Sequence, residues 1–177
     1  MDYYKEKQFI AEVNEEDEIV GKIEKWEAHK KGILHRGYTA IISYQDQFVL
    51  QHRKHPVFDN VFDFSFSSHQ LYIKDSLQDG VVSVLDGLQR EWGIHAEDII
   101  DDITFVKKVN YKAFDDVSGH YEHEIDYVYS VELNKLPTPV YDFAYGFYTI
   151  HKNNIEKVQD PRIYSMLAPW VQKIIEK

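Results

Sequence analysis

Five side chains in this sequence have the types expected of a metal-binding set: His29, His35 and His69, with Glu122 and Glu124. His29 and His35 flank Lys30-Lys31-Gly32-Ile33-Leu34 and lead into a strand-like segment, and His69 directly follows another. Glu122 and Glu124 are two apart, which on a strand puts both on one face. Imidazole nitrogens with carboxylate oxygens suit Zn, Mn or Fe. Each histidine alone also reads as structural or exposed, and spacing does not make the three converge. Glu91 is a further candidate. Val84, Leu88 and Glu91 follow i, i+4, i+7, so this carboxylate lies on or beside an apolar helical stripe. Such a group either reaches water from the margin or points into a site where a divalent cation offsets its desolvation. Gln51-His52-Arg53-Lys54-His55 is a basic run in an acidic chain, either a solvated turn or a holder of phosphate oxygens.

The elements that must position these residues are short strands around few helices. Gly37–Tyr44 is β-branched and aromatic, and Gln47–Gln51 continues it after a polar turn, which predicts two adjacent strands. Val61–Phe66 alternates, with Phe62, Phe64 and Phe66 expected on one face and Asp63 and Ser65 on the other. Ile103–Tyr111, Glu122–Val131 and Val140–Ile150 are three more predicted strands. In the second of these, Glu122, Glu124 and Asp126 share a face opposite His123, Ile125 and Tyr127. Val81, Val84, Leu85, Leu88 and Trp92 form the stripe of an amphipathic helix, with Gly93 placed to cap its C-terminus. Pro169 suits the first turn of a last helix whose apolar face is Trp170, Val171, Ile174 and Ile175. The pattern predicts an α+β fold with a mixed β-sheet.

Composition bounds the rest. At 177 residues the chain is expected to be a single domain spanning 1–177. Its hydrophobic share of 44% is too high for disorder. The apolar runs are only a few residues long, so no membrane span is expected. The first residues contain no apolar stretch resembling a signal peptide, so the expected location is cytoplasmic. The chain has no cysteine, which excludes disulfides, thiolate metal sites and a cysteine nucleophile. A net charge of −10 opposes nucleic-acid binding, so an anionic ligand needs a local basic pocket or a metal ion.

Tyr111-Lys112-Ala113 followed by Glu122-His123-Glu124-Ile125-Asp126-Tyr127 resembles the corresponding stretch of type I isopentenyl-diphosphate isomerases, members of the Nudix superfamily. The likeness is collinear over most of the chain. Glu15–Gly21 resembles the family's opening strand region. Leu34-His35-Arg36-Gly37-Tyr38 resembles its Leu-His-Arg-Ala-Phe, and Val49-Leu50-Gln51-His52-Arg53 its Leu-Leu-Gln-x-Arg. Ser67-Ser68-His69 stands where the family has Cys-Ser-His or Cys-Gly-His. Leu88–Ile94 resembles the end of the Nudix helix, and Ala168-Pro169-Trp170 the family's Thr-Pro-Trp.

The resemblance implies a Nudix fold, a mixed sheet flanked by helices as an α/β/α sandwich. It implies a transition metal (Mn2+ or Zn2+) on His29, His35, His69, Glu122 and Glu124, and Mg2+ on Glu91 bridging a small diphosphate substrate. Arg53 and Lys54, with His55 beside them, fall in the diphosphate-binding segment. Glu124 and Tyr111 match an acid/base pair on one face of the substrate carbons, and Trp170 the ring facing a developing carbocation. The expected assembly is a monomer or homodimer.

Two departures matter. Ser67 occupies the position of the family's second proton-transfer group, a cysteine, and a hydroxyl is a far weaker acid than a thiol. Aligned on Gly93, the Nudix box has Tyr72 for its glycine, Gln78 for its first glutamate, Asp86 and Gly87 for its Arg-Glu pair, and Arg90 for the first of its last two glutamates. Only Glu91 remains of the carboxylates that a Nudix hydrolase clusters to bind magnesium and activate water. Three readings compete: an isomerase-like enzyme with altered proton transfer at Ser67, a hydrolase of a small organic or nucleoside diphosphate, and a non-catalytic diphosphate-binding relative.

Overall fold

The computed structural model describes residues 3–155 and 161–176. Its strands are β1 (Phe9–Val13), β2 (Ile19–Glu24), β3 (His35–Tyr44), β4 (Gln47–Arg53), β5 (Phe62–Phe64), β6 (Phe66–Ser68), β7 (Tyr72–Ile73), β8 (Ser76–Leu77), β9 (Thr104–Asp115), β10 (His120–Leu133) and β11 (Ala144–His151). Its helices are α1 (Lys25–Lys31), α2 (Gly80–Trp92), α3 (Lys152–Ile155), α4 (Pro161–Met166) and α5 (Pro169–Ile175). The main sheet runs β11-β4-β3-β1-β2, with β10 paired in parallel to β3 and antiparallel to β9. The short strands β5 and β6 pair with β4 and β3.

Alternation along β3 explains the layering. Tyr38, Ala40 and Ile42 pack with Val84, Leu88 and Trp92 of α2, while Ile41 turns to the other face with Leu50, Val128 and the Trp170, Val171 and Ile174 of α5. Helices thus cover both faces of a mixed sheet, as an α/β/α sandwich requires. Each large side chain fully buried this way stabilises the fold by roughly 1.5–3 kcal/mol. Asp79 caps α2 by accepting from the Val81 and Val82 amides, and Gly93 ends it at φ 61°. Only glycine takes that left-handed conformation without strain.

Several boundaries differ from expectation. The strand predicted from Val140 begins at Ala144, because the Val140 amide bonds Glu91 O and the Phe143 amide bonds Val140 O in a turn. The alternating Val61–Phe66 segment is two strands, broken at Ser65, whose φ is 52°. Phe64 therefore packs on the α5 side and Phe66 on the α2 side, not on one shared face. The Ser65 hydroxyl bonds the Ile42 amide and Val49 carbonyl, which fixes the kink. His29 lies in helix α1, not at a strand edge. No described helix is long and apolar enough to cross a membrane.

Candidate metal centre and catalytic cavity

Strand register assembles the centre. In the β3–β10 pairing Glu124 stands beside His35, and in the β9–β10 pairing it stands beside Tyr111. Two residues earlier on the same face is Glu122, and α1 brings His29 over it, with Nε2 3.4 Å from Glu122 Oε2. His69, just beyond β6, completes the cluster. Its Nε2 is 2.9 Å from Glu124 Oε1, and His35 Nε2 is 3.3 Å from the same oxygen. The ring centroids of His29, His35 and His69 are 4.8–5.1 Å apart.

The donor set fits a divalent metal. His29, His35, His69 and Glu122 each offer a ligand atom within 4.8 Å of the others. His29 Nδ1, His35 Nε2, His69 Nε2 and Glu122 Oε2 are all buried without a hydrogen-bond partner. Orphaned buried polar atoms are costly unless something else satisfies them. His35 Nδ1 lies 2.7 Å from the Ile33 carbonyl; as donor there, it leaves the Nε2 lone pair facing the cluster, the arrangement typical of a ligating histidine.

Electrostatics agree. Burial, with His35 and His69 nearby, keeps the His29 imidazole well below its ordinary pKa, and burial lowers His69 to about 4. Both rings are therefore neutral, as ligation requires. Burial, and then the charge of Glu124, raises Glu122 well above the usual carboxylate range. Burial also pushes Glu124 upward, but the imidazoles of His35 and His69 beside it outweigh this and hold the group low.

His29, His69, Glu122 and Glu124 of the cluster line a cavity together with Ser67, Tyr111, Trp170, Glu91 and Arg53. Tyr111 donates its phenol hydrogen to Glu124 Oε2. Burial, and then Glu124, raises this phenol well above its ordinary pKa, so it remains a donor. The Trp170 ring is 5.9 Å from that of Tyr111, and its Nε1 donates to Asp63. Glu91 is buried, not at a wet margin, and its oxygens accept from Arg90 Nη2 (2.9 Å) and Gln51 Nε2 (3.2 Å). Arg53 is buried in a pair with Asp63 and stacks its guanidinium over Trp170. Lys54 departs from expectation: it is exposed and donates to Tyr141 O, and His55 takes its place in the lining.

Sequence reasoning missed two contributors. Lys25 lines the cavity, buried against the rings of Tyr3 and Trp26, where burial and then Arg90 lower its ammonium to about 8. Asp63 sits fully buried behind Ser67. For Asp63 the sign in the sequence was a carboxylate set between Phe62 and Phe64; Lys25, between Glu24 and Trp26, carried none.

The sequence matches no protein-family model and no curated protein. The fold does match solved structures. DR0079 from Deinococcus radiodurans superposes with a TM-score of 0.61 at 16% identity, over 94% of this chain and 96% of that one. The Nudix hydrolase RenU from M. smegmatis superposes with a TM-score of 0.50 at 9% identity, over 94% and 89%. This chain has the Nudix fold. The carboxylate of α2 that lines the cavity is Glu91. A Cβ at Gly87, one turn earlier on the same helix, would stand 2.3 Å from the Phe66 ring.

Proposed function

We propose that this protein is a metal-dependent enzyme that moves the double bond of isopentenyl diphosphate to give dimethylallyl diphosphate by protonation and deprotonation. The observation that carries this reading is the Tyr111–Glu124 contact, set between a histidine cluster and the Trp170 ring in one cavity. Moving a double bond by one carbon passes through a tertiary carbocation. The site must exclude water, deliver a proton to carbon and place π-electron density near the cation. Glu124 and Tyr111 share a hydrogen that can be delivered, and Trp170 offers the ring face. A divalent ion held by His29, His35, His69, Glu122 and Glu124 would acidify the groups around it.

Cations also line the cavity: these are Arg53 and Lys25, and Arg90 holds Glu91. These groups suit a diphosphate in a chain of net charge −10. Glu91 keeps lone pairs beyond its two hydrogen bonds, with which it would share Mg2+ with the diphosphate. A second reading, hydrolysis of a small diphosphate, is supported by the Nudix fold and by Glu91 itself. It lacks the clustered helix carboxylates of that chemistry.

The deciding experiment incubates metal-loaded protein with isopentenyl diphosphate in heavy water. Deuterium uptake without phosphate release supports isomerisation. Phosphate release without carbon-bound deuterium replaces that reading with hydrolysis.

A further inference from the structure

Ser67 is held from two sides. Its Oγ donates to Asp63 Oδ1 at 3.1 Å and lies 2.9 Å from Thr39 Oγ1, which is 2.8 Å from Asp126 Oδ2. Asp63 accepts twice more, from Trp170 Nε1 (2.8 Å) and Arg53 Nη1 (3.2 Å). Thr39, Asp63 and Asp126 are all fully or almost fully buried. The Thr39 hydroxyl donates to Asp126 and the Ser67 hydroxyl to Asp63. Asp63 thus faces three donors, one of them a guanidinium, an environment that favours its carboxylate form.

We propose that Asp63 is the proton acceptor behind Ser67, so that hydroxyl and carboxylate together act as the base on the Ser67 side of the cavity. This rests on the isomerase reading above. Once the Glu124–Tyr111 side has protonated the alkene, a C–H bond next to the cationic carbon breaks and its electron pair becomes the new C=C bond. The proton goes to Ser67 Oγ while the serine's own hydrogen passes to Asp63 Oδ1. A serine acting alone would have to become an oxonium; handing its hydrogen to a carboxylate avoids that. Exchange with water resets both faces. Burial raises Asp63 to about 6 against the pull of Arg53, which suits a base working near neutrality.

The test measures deuterium uptake from heavy water into isopentenyl diphosphate by metal-loaded protein, across pH. Wild type should lose rate as pH falls through about 6. The groups facing Asp63 are Arg53 from β4, Ser67 from β6, Glu91 from α2, Trp170 from α5, and Glu122 and Asp126 from β10. Asp63→Asn should lower the rate about a hundredfold and abolish that acid limb. Ser67→Ala should do the same, and the double variant should be little worse than either. Ser67→Cys added to Asp63→Asn should recover activity, because a thiol with pKa about 8.5 serves as its own base. A purely structural Asp63 would not be rescued by changing Ser67. Folded, metal-bound Asp63→Asn with wild-type rate and acid limb overturns the relay alone. So does failure of the Ser67→Cys rescue. Should Asp63→Asn not fold without its Arg53 pair, survival of the acid limb in Ser67→Ala overturns the relay instead, and its loss supports it. Wild type that takes up no deuterium overturns the isomerase reading and the relay with it.

Discussion

Glu124 uses its two oxygens for two different purposes: Oε1 faces His69 Nε2 at 2.9 Å, and Oε2 accepts the phenol hydrogen of Tyr111. One carboxylate thus joins the histidine cluster to the Tyr111 phenol. The two pairings of β10 make this possible, because they place His35 and Tyr111 on either side of the same residue.

That division of labour separates two variants. Tyr111→Phe removes a hydroxyl whose partner is Glu124 and leaves every proposed metal ligand in place. It should lower turnover about a hundredfold or more while bound metal stays unchanged. Glu124→Gln should lower both. Loss of metal in Tyr111→Phe, read by elemental analysis, would mean that the phenol holds the ligand cage itself.

Metal occupancy should dominate stability. Native protein should carry about one equivalent of a divalent transition ion, and His69→Ala should weaken retention roughly tenfold or more. Ligands that bind only the folded state stabilise it, by about 4 kcal/mol at a thousandfold excess over Kd. Chelation should therefore lower the melting temperature of wild type and change His69→Ala much less. Identical shifts in both proteins would remove His69 from the ligand set.

Lys25 should give the proposed diphosphate site a pH dependence. Burial holds its ammonium at about 8, so the charge that attracts a diphosphate is complete below that value and lost as pH rises through it. Pyrophosphate affinity should fall above about pH 8, and Lys25→Arg, charged throughout, should lack this fall. Folding stability should move the other way. From about pH 8 to the ordinary lysine value the unfolded chain binds a proton that the native state does not, so stability rises with pH. Calorimetric titrations of the two proteins that superimpose across this range would place Lys25 outside the anion site.

How far the sequence discloses all this depends on whether burial follows hydropathy. The stripe of α2 and the alternation of β10 are legible because apolar residues face the core in regular rhythm. Helix α1 has no such rhythm. Its buried residues are Lys25, Ala28 and His29, turned inward by the polar cavity, so neither the helix nor Lys25 shows in the pattern. Asp63 was hidden for a related reason. Alternation puts it opposite the phenylalanines, but it is buried too, against Trp170, Arg53 and Ser67. The break at Ser65 depends on a positive φ in a residue type that seldom signals one.

Gly87 bears on the competing hydrolase reading. The resemblance to the Nudix box, aligned on Gly93, puts it at a carboxylate position, and an added Cβ would stand 2.3 Å from Phe66 Cε2 and 2.7 Å from the Tyr38 hydroxyl. Tyr38 is in turn fixed by its hydrogen bond to Ser83 O, 2.7 Å away, so neither neighbour moves freely. Alanine is the better helix former by about 1 kcal/mol, yet overpacking of this kind costs roughly 1–3 kcal/mol. Gly87→Ala should therefore lower the urea midpoint, and Gly87→Glu should gain no phosphate release from small diphosphates. Stability of Gly87→Ala at or above wild type would show that Phe66 and Tyr38 give way readily. The position would then be open to a carboxylate, and the lost helix acids would no longer count on steric grounds against hydrolysis.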